Sequence, residues 1–201
     1  EFRRVLFRSM FRSFLLRLGL LAGGAAFFGV LPAFAAPAEI ILLSHAEKPP
    51  EGPELNEAGR QRAAALAGLF QRDPRVLAHG PVAAIFAMQP ADRNGSVRAI
   101  QTMEPTAAAL HLTLNTRYTR EDIKALAKAI RKDKTLDGKT IVICWEHKVI
   151  PEIVAALGWP NSPTQWIDGA YDRLWILDFE NGVPVAFHDV PQKLLPGDTG
   201  K

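Results

Sequence analysis

Residues 39–48 read EIILLSHAEK, and the interpretation of the whole chain starts from this stretch. The four consecutive aliphatic residues at 40–43 are typical of a strand buried on both faces, as in a parallel sheet. Ser44 and His45 follow at once, so the buried run ends in polar side chains. Because ligands of α/β folds bind beyond the carboxyl ends of such strands, His45 is a candidate functional residue.

After this stretch, apolar runs alternate with amphipathic segments. Strands are predicted at 82–87 and 139–145, and helices at 57–72, 96–110, 119–130 and 150–157. Ser96 and Thr119 are predicted to cap two of these helices, and Asn181-Gly182 predicts a hairpin of two final strands. The order predicts one α/β domain, a three-layer sandwich with a mostly parallel central sheet and an antiparallel edge.

The first 35 residues are expected to lie outside this domain. Residues 1–9 (EFRRVLFRS) match the translation of a common short-read sequencing adapter, so we interpret them as an assembly artefact that precedes Met10. Residues 10–35 have two early arginines, an apolar run and the triplet Ala33-Phe34-Ala35, which is the pattern of a secretory signal peptide. We therefore expect a domain at 36–201 that is periplasmic or secreted and leaves the membrane after cleavage; an uncleaved anchor is the alternative.

The charge balance changes when this leader is set aside. The chain of 201 residues carries 24 Lys and Arg against 21 Asp and Glu, a formal net charge of +3. Without the five arginines and one glutamate of the first 35 residues, 19 basic and 20 acidic residues remain, a net charge of −1. The domain is therefore not expected to bind nucleic acid. Its single cysteine, Cys144, excludes an internal disulfide and a four-cysteine zinc site.

Two further segments carry candidate functional residues that are expected to lie near His45. His147 follows the strand at 139–145, within CWEHKVIP, so both histidines are expected at one crevice. Arg98 lies in SVRAIQT at the start of a predicted helix, where backbone N–H groups and a guanidinium can hold an anion together. The other histidines lack such a placement, and we interpret them as surface or packing residues: His79, His111 and His188.

Four segments in this order resemble the histidine phosphatase superfamily, which is related to phosphoglycerate mutases: ILLSHAEKP, LNEAGRQRAAALAGLF, SVRAIQT and IVICWEH. The resemblance implies a phosphoglycerate mutase-like fold and an exported phosphomonoesterase that acts through a phosphohistidine on His45. It implies that Arg98 and His147 bind the phosphate of a small phosphorylated substrate, without a metal or another cofactor.

One position departs from the family pattern. The family's Arg-His-Gly motif reads Ser44-His45-Ala46 here, so Ser44 stands where an arginine would clamp the phosphate and is expected to bind it with Arg98 and His147. Losing one partner of a desolvated charge pair costs roughly 2–5 kcal/mol. The alternative is therefore a catalytically impaired phosphate-binding or scaffolding protein on the same fold. The candidate substitute cations are Lys48, Arg62 and Arg93.

The proton donor remains open at this point. Glu146, beside His147, is the first candidate, and Glu121 and Asp122 are alternatives that also suit the first turn of a helix. Glu47 is expected to orient a loop. Three aromatic residues can line either a substrate cleft or the core: Trp145, Trp166 and Tyr171.

Two other kinds of site compete with the phosphatase interpretation. Cys144 and His147 have C-x-x-H spacing, which suits a metal site if His45 lies nearby. A serine hydrolase would use Ser44 or Ser96, although the chain has no G-x-S-x-G motif. The substrate and the oligomeric state are not predicted.

Overall fold

The computed structural model describes residues 36–198. The expected artefact and signal peptide at 1–35 lie outside the described residues. The elements of the described part are β1 (Glu39–Ser44), α1 (Glu57–Arg72), β2 (Val82–Ala87), α2 (Arg98–Ala109), β3 (Leu114–Asn115), α3 (Ile123–Lys132), β4 (Thr140–Trp145), α4 (Ile150–Ala156), β5 (Arg173–Glu180) and β6 (Val183–Pro191).

The strands form one sheet in the order β3-β2-β4-β1-β5-β6. The pairs β2/β3, β2/β4 and β1/β4 are parallel, whereas β5 is antiparallel to both β1 and β6. The predicted α/β sandwich with a mostly parallel sheet is thus confirmed. The predicted hairpin is present too, with Asn181 and Gly182 at positive φ, as a tight turn between right-twisted strands requires.

The centre of the sheet holds the core. Residues 40–43 of β1 and 141–145 of β4 have no exposed surface, because strands on both sides and helices cover them. Burying one such aliphatic side chain contributes about 1.5–3 kcal/mol. α1 packs against α2 and α3 packs against α4, which completes the layers. Within residues 36–198, no helix has both the length and the apolar character needed to cross a membrane.

The helix boundaries differ from prediction at two starts. α2 begins at Arg98 with Val97 at its N-cap, because the Ser96 hydroxyl lies 3.5 Å from the Arg98 N–H and caps it poorly. α3 begins at Ile123 rather than near Thr119, because the Asp122 carboxylate accepts hydrogen bonds from the Thr119 N–H and hydroxyl and forms a turn there. Both helices nevertheless keep the predicted apolar face.

Glycine at position 59 lets α1 approach the loop that follows β1. A Cβ at Gly59 would lie 2.2 Å from the Glu47 carbonyl oxygen, which no side chain tolerates. The same loop is held by the Asn56 N–H, which donates to the Glu47 carbonyl at 3.0 Å, while the Asn56 side chain caps α1. The segment carrying His45 is therefore fixed against α1.

Candidate functional site

The adjacency of β1 and β4 brings two histidines together. Ser44 pairs with Trp145 in the parallel register, so both strands end at the same edge of the sheet. The His45 N–H donates to the Trp145 carbonyl at 3.1 Å, and the ring centroids of His45 and His147 lie 6.5 Å apart. The crevice expected from the sequence contains both imidazoles.

One nitrogen of the His45 ring forms a hydrogen bond within the protein, and the other is available for chemistry. Its side chain is buried, and Nδ1 lies 2.7 Å from the Ala46 carbonyl oxygen. A carbonyl oxygen only accepts hydrogen bonds, so Nδ1 carries the proton and Nε2 keeps its lone pair. Nε2 is thereby a candidate nucleophile.

The surroundings of His45 favour the neutral ring. Desolvation by burial is the largest cause that lowers its pKa from 6.5, and the positive charges of Arg98 and His147 act in the same direction. The Ala46 carbonyl and the Glu146 carboxylate oppose this shift without reversing it. A neutral imidazole is the form that can attack an electrophile.

His147 is oriented by a residue that the sequence did not single out. Its Nε2 lies 3.2 Å from an oxygen of Asp168, in the loop before β5, and the Asp168 side chain is 93% exposed. The ring of Tyr171 lies in the same loop, 6.0 Å from that of His45. No motif marks Asp168 in the sequence; only the folding of its loop back over the strand ends brings it here.

Arg98 lies at the first residue of α2, as its position in SVRAIQT predicts. Its guanidinium donates to the Glu54 carbonyl at 3.2 Å and to the Gly52 carbonyl. These bonds use two of the five N–H groups of the side chain and leave three for an anion. The charge is close enough to His45 to lower the pKa of that ring.

Thr102 connects α2 to the turn after β1. It is fully buried, its Oγ1 accepts from the Ala46 N–H at 2.9 Å, and its hydroxyl donates to the Arg98 carbonyl at 2.7 Å. One side chain therefore sets the position of Arg98 relative to His45. Thr102 stands in the SVRAIQT segment, but the sequence alone gave it no separate role.

Ser44 is buried rather than open to the crevice. Its hydroxyl oxygen has almost no accessible surface and no hydrogen-bond partner among the described residues, and the same holds for Nε1 of its register neighbour, Trp145. A serine here supplies neither the charge nor the reach of an arginine. The Ser44 hydroxyl has no hydrogen bond to a base among the described residues, so the structure offers no support for a serine nucleophile at this position.

Arg62 is not the solvated surface charge that the sequence allowed. Its buried guanidinium contacts Glu47 at 2.7 Å and Asp198 at 2.6 Å, and also donates to Gln192. Burial alone would lower the pKa of Arg62, but the two carboxylates outweigh it and the pKa is raised. Hydrogen bonds from Arg62 and the backbone overcome desolvation and lower the pKa of Asp198 to about 2.

Arg62 is thus committed to a structural cluster, and Glu47 holds its loop as expected. Among the other suggested cations, Lys48 and Arg93 are exposed. None of the three replaces the missing arginine by contacting His45.

The candidate proton donors are engaged elsewhere. Glu146 accepts from Arg120 Nε at 2.6 Å, and Glu121 accepts from Arg120 Nη1 at 2.6 Å. Asp122 is bonded to Thr119, and its pKa is lowered by those hydrogen bonds. Glu146 and Glu121 are thus bound to Arg120, whereas Asp168 contacts His147 directly and joins Glu146 as a candidate.

The aromatic residues divide between core and site. Trp145 is fully buried, and Trp166 packs against Trp175 with centroids 4.7 Å apart and tilted ring planes, so both belong to the core. Tyr171 lines a cavity of about 650 Å³ with Asp168, Glu47 and Arg62. This cavity adjoins the histidine pair through Tyr171 and Asp168, although neither histidine lines it.

The competing metal site at Cys144 does not assemble. Cys144 is fully buried, and burial raises the pKa of its thiol, so the thiolate that a metal needs is disfavoured. Among residues 36–198, the one set of three side chains close enough to share a metal ion is Glu39, His79 and Asp178, at the opposite end of the sheet.

No protein-family model and no curated protein matches this chain. Among solved structures, the protein histidine phosphatase SixA complexed with tungstate is similar, with a TM-score of 0.55 and 11% identity over 77% of this chain and 97% of that chain. The α-ribazole phosphatase from Shigella flexneri has a TM-score of 0.48 and 13% identity, covering 73% and 93%. A phosphoglycerate mutase from Bacillus anthracis has a TM-score of 0.46 and 10% identity, and the match covers 76% of this chain and 92% of that chain.

The similarity to SixA, at a TM-score of 0.55, concerns the fold alone. The chain has the phosphoglycerate mutase-like fold that the sequence predicts.

Proposed function

We propose that this chain is an exported phosphomonoesterase of the histidine phosphatase type, in which Nε2 of His45 carries the phosphoryl group. The observation that carries the proposal is the placement of His45: its ring is buried, which lowers its pKa, and Nδ1 is held by the Ala46 carbonyl so that Nε2 keeps its lone pair in the neutral ring. Arg98 and His147 at the same strand ends supply the cationic and hydrogen-bonding groups that a phosphate needs.

The reaction has two steps. The Nε2 lone pair forms an N–P bond while the P–O bond to the alcohol breaks and the oxygen leaves with the electron pair. The leaving oxygen takes a proton, for which Asp168 beside His147 is the candidate carrier in place of the arginine-paired Glu146. Water then attacks phosphorus and loses its proton to the same carboxylate, the N–P bond breaks, and phosphate departs.

The substrate is proposed to be a small phosphorylated molecule. Exposed Asp168 and half-buried Tyr171 border the crevice, and the adjoining cavity of about 650 Å³ is within the usual size range for small ligands. The net charge of −1 at 36–201 argues against a nucleic-acid partner. Export rests on the signal-like pattern of residues 10–35.

A second candidate is a phosphate-binding protein with impaired chemistry. Ser44 favours it, because a buried, unpartnered hydroxyl stands where the resemblance implies a clamping arginine. Arg62 is the buried residue among the three candidate substitute cations, and it is already paired with two carboxylates. In this case Arg98 and His147 still bind phosphate, while phosphoryl transfer to His45 is slow.

An assay with a generic aryl phosphomonoester tests the proposal. The matched pair is His45→Asn and His111→Asn: His111 is an exposed histidine, and its left-handed backbone tolerates asparagine. We expect phosphate release that His45→Asn reduces by roughly 10³-fold or more and His111→Asn leaves unchanged. Equal release from wild type and His45→Asn would refute His45 as the nucleophile.

A further inference from the structure

A second polar cluster lies at the amino end of β1. The side chain of Glu39 is 1% exposed, and its Oε1 has no hydrogen-bond partner among the described residues. Ligand atoms of Glu39, His79 and Asp178 all lie within 4.8 Å of one another. The six residues of β1 place this cluster roughly 20 Å from His45.

The sheet register forces two carboxylates together. Glu39 pairs directly with Asp178 on the antiparallel strand β5, and with Thr140 on the parallel strand β4. The Thr140 hydroxyl is also buried without a hydrogen-bond partner. Like charges opposite each other across strands are destabilising, and a buried carboxylate oxygen without a partner adds to that cost.

Two histidines face the same carboxylates. His79 Nε2, from the segment before β2, lies 3.5 Å from Asp178 Oδ1, and His188 Nε2, from β6, lies 3.2 Å from Asp178 Oδ2. Both histidines are exposed, as the sequence suggested, and each also contacts Asp178. A divalent cation bound between these side chains would neutralise both carboxylates.

We infer that Glu39, His79 and Asp178 form a binding site for a divalent transition metal ion of the zinc class, separate from the histidine pair at the other end of the sheet. One imidazole nitrogen and two carboxylate oxygens are a ligand set that suits Zn²⁺, with water in the fourth position. The imidazole ligand disfavours Mg²⁺ and Ca²⁺, which prefer oxygen.

One ligand pair already has the spacing of a tetrahedral site, and the other ligand atoms must close from separations of at most 4.8 Å. Bonds of 2.0–2.2 Å in a tetrahedron put ligand atoms roughly 3.4 Å apart, close to the 3.5 Å between His79 and Asp178. His188, on the other oxygen of Asp178, can fix that carboxylate in orientation, as residues behind metal ligands do. The side chains of His79 and Asp178 are 38% and 24% exposed, so an ion and a water have access from solvent.

Thermal unfolding of metal-free protein with added ZnCl₂ or MgCl₂ tests the site. At Zn²⁺ roughly 100-fold above its dissociation constant, a rise in Tm of roughly 5–10 °C is expected for wild type, and none for Mg²⁺. Glu39→Gln and His79→Asn are expected to lose most of the rise. His111→Asn, the same change at a remote exposed histidine, is expected to keep it.

Co²⁺ binding provides a second readout. Wild type with bound Co²⁺ is expected to show visible absorbance of the intensity typical of tetrahedral Co²⁺. Glu39→Gln and His79→Asn are expected to lose this absorbance. The inference is overturned if Zn²⁺ leaves the Tm of wild type unchanged, or if both variants keep the full rise. It is also overturned if His45→Asn, rather than these variants, removes the rise, since the ion would then sit at the histidine pair. These outcomes do not bear on the phosphatase proposal, which is read from phosphate release.

Discussion

The two ends of β1 differ in how they accommodate buried ionisable groups. At the carboxyl end, His45 bonds to Ala46, Thr102 bonds to both neighbouring segments, and Arg62 is paired with Glu47 and Asp198. At the amino end, Glu39 is equally buried but has an oxygen without a partner and a second carboxylate beside it. Substitutions at the two ends should therefore change stability in opposite directions.

Arg62→Met is expected to produce the largest effect. Removing the guanidinium leaves Glu47 and Asp198 without their shared partner, and breaking a buried ion pair costs about 3–5 kcal/mol. Urea unfolding measures the loss. Arg60→Met on the same helix is the control, because Arg60 is 59% exposed, and it should cost at most about 1 kcal/mol. Similar losses for both variants would refute the view that Arg62 is a buried anchor.

Glu39→Gln should stabilise the metal-free protein. Desolvation by burial raises the pKa of Glu39 to about 7, so above that pH the folded state carries a charge that is better solvated in the unfolded chain. We expect a gain of about 2 kcal/mol near pH 8, which vanishes below about pH 4.5, where the carboxyl is protonated in both states. The exposed Glu180→Gln is the control. A loss of stability in Glu39→Gln near pH 8 contradicts the comparison between the two ends.

Thr102→Val tests how the carboxyl end is positioned. The substitution keeps the shape but leaves the buried Ala46 N–H without its acceptor, at a cost of about 1–2 kcal/mol. We also expect kcat to fall by roughly 10-fold or more as His45 and Arg98 lose their alignment. Thr102→Ser keeps the hydroxyl and should restore kcat. If Thr102→Ser is as slow as Thr102→Val, the hydrogen bonds do not position the site.

The pH dependence of phosphate release reports the state of His45. Its pKa is lowered from 6.5, chiefly by desolvation, so the ring stays neutral to a lower pH than an ordinary histidine. Activity requires the neutral ring, and the acid limb of kcat/KM should therefore have its midpoint below pH 6.5. A midpoint at or above that value would show that burial does not set the protonation of the nucleophile.

The sequence predicted those parts of the fold that depend on residues close to one another along the chain. The aliphatic run at 40–43, the Asn56 cap of α1 and the Asn181-Gly182 turn each act within a few residues, and the fold followed from their order. The short strand β3 was missed, because its two residues carry no periodicity.

Contacts between residues that lie far apart in the sequence could not be predicted in the same way. The pairing of Arg62 with Asp198 spans 136 positions, and Asp168 reaches His147 only because its loop folds back over the strand ends. Glu39 meets Asp178 through strand register, which no single segment reveals. The sequence thus indicates which residues hold the chemistry, and the topology decides which of them meet.

The most direct test of the account is the capture of the phosphorylated protein. Wild type, His45→Asn and Ser44→Arg are mixed with a radiolabelled phosphomonoester and quenched in alkaline detergent, because a phosphohistidine N–P bond hydrolyses in acid. The account predicts an acid-labile label on wild type, more of it on Ser44→Arg, and none on His45→Asn. Label that persists in His45→Asn would contradict it, as would a wild type that never labels while Ser44→Arg does, which would identify an impaired relative.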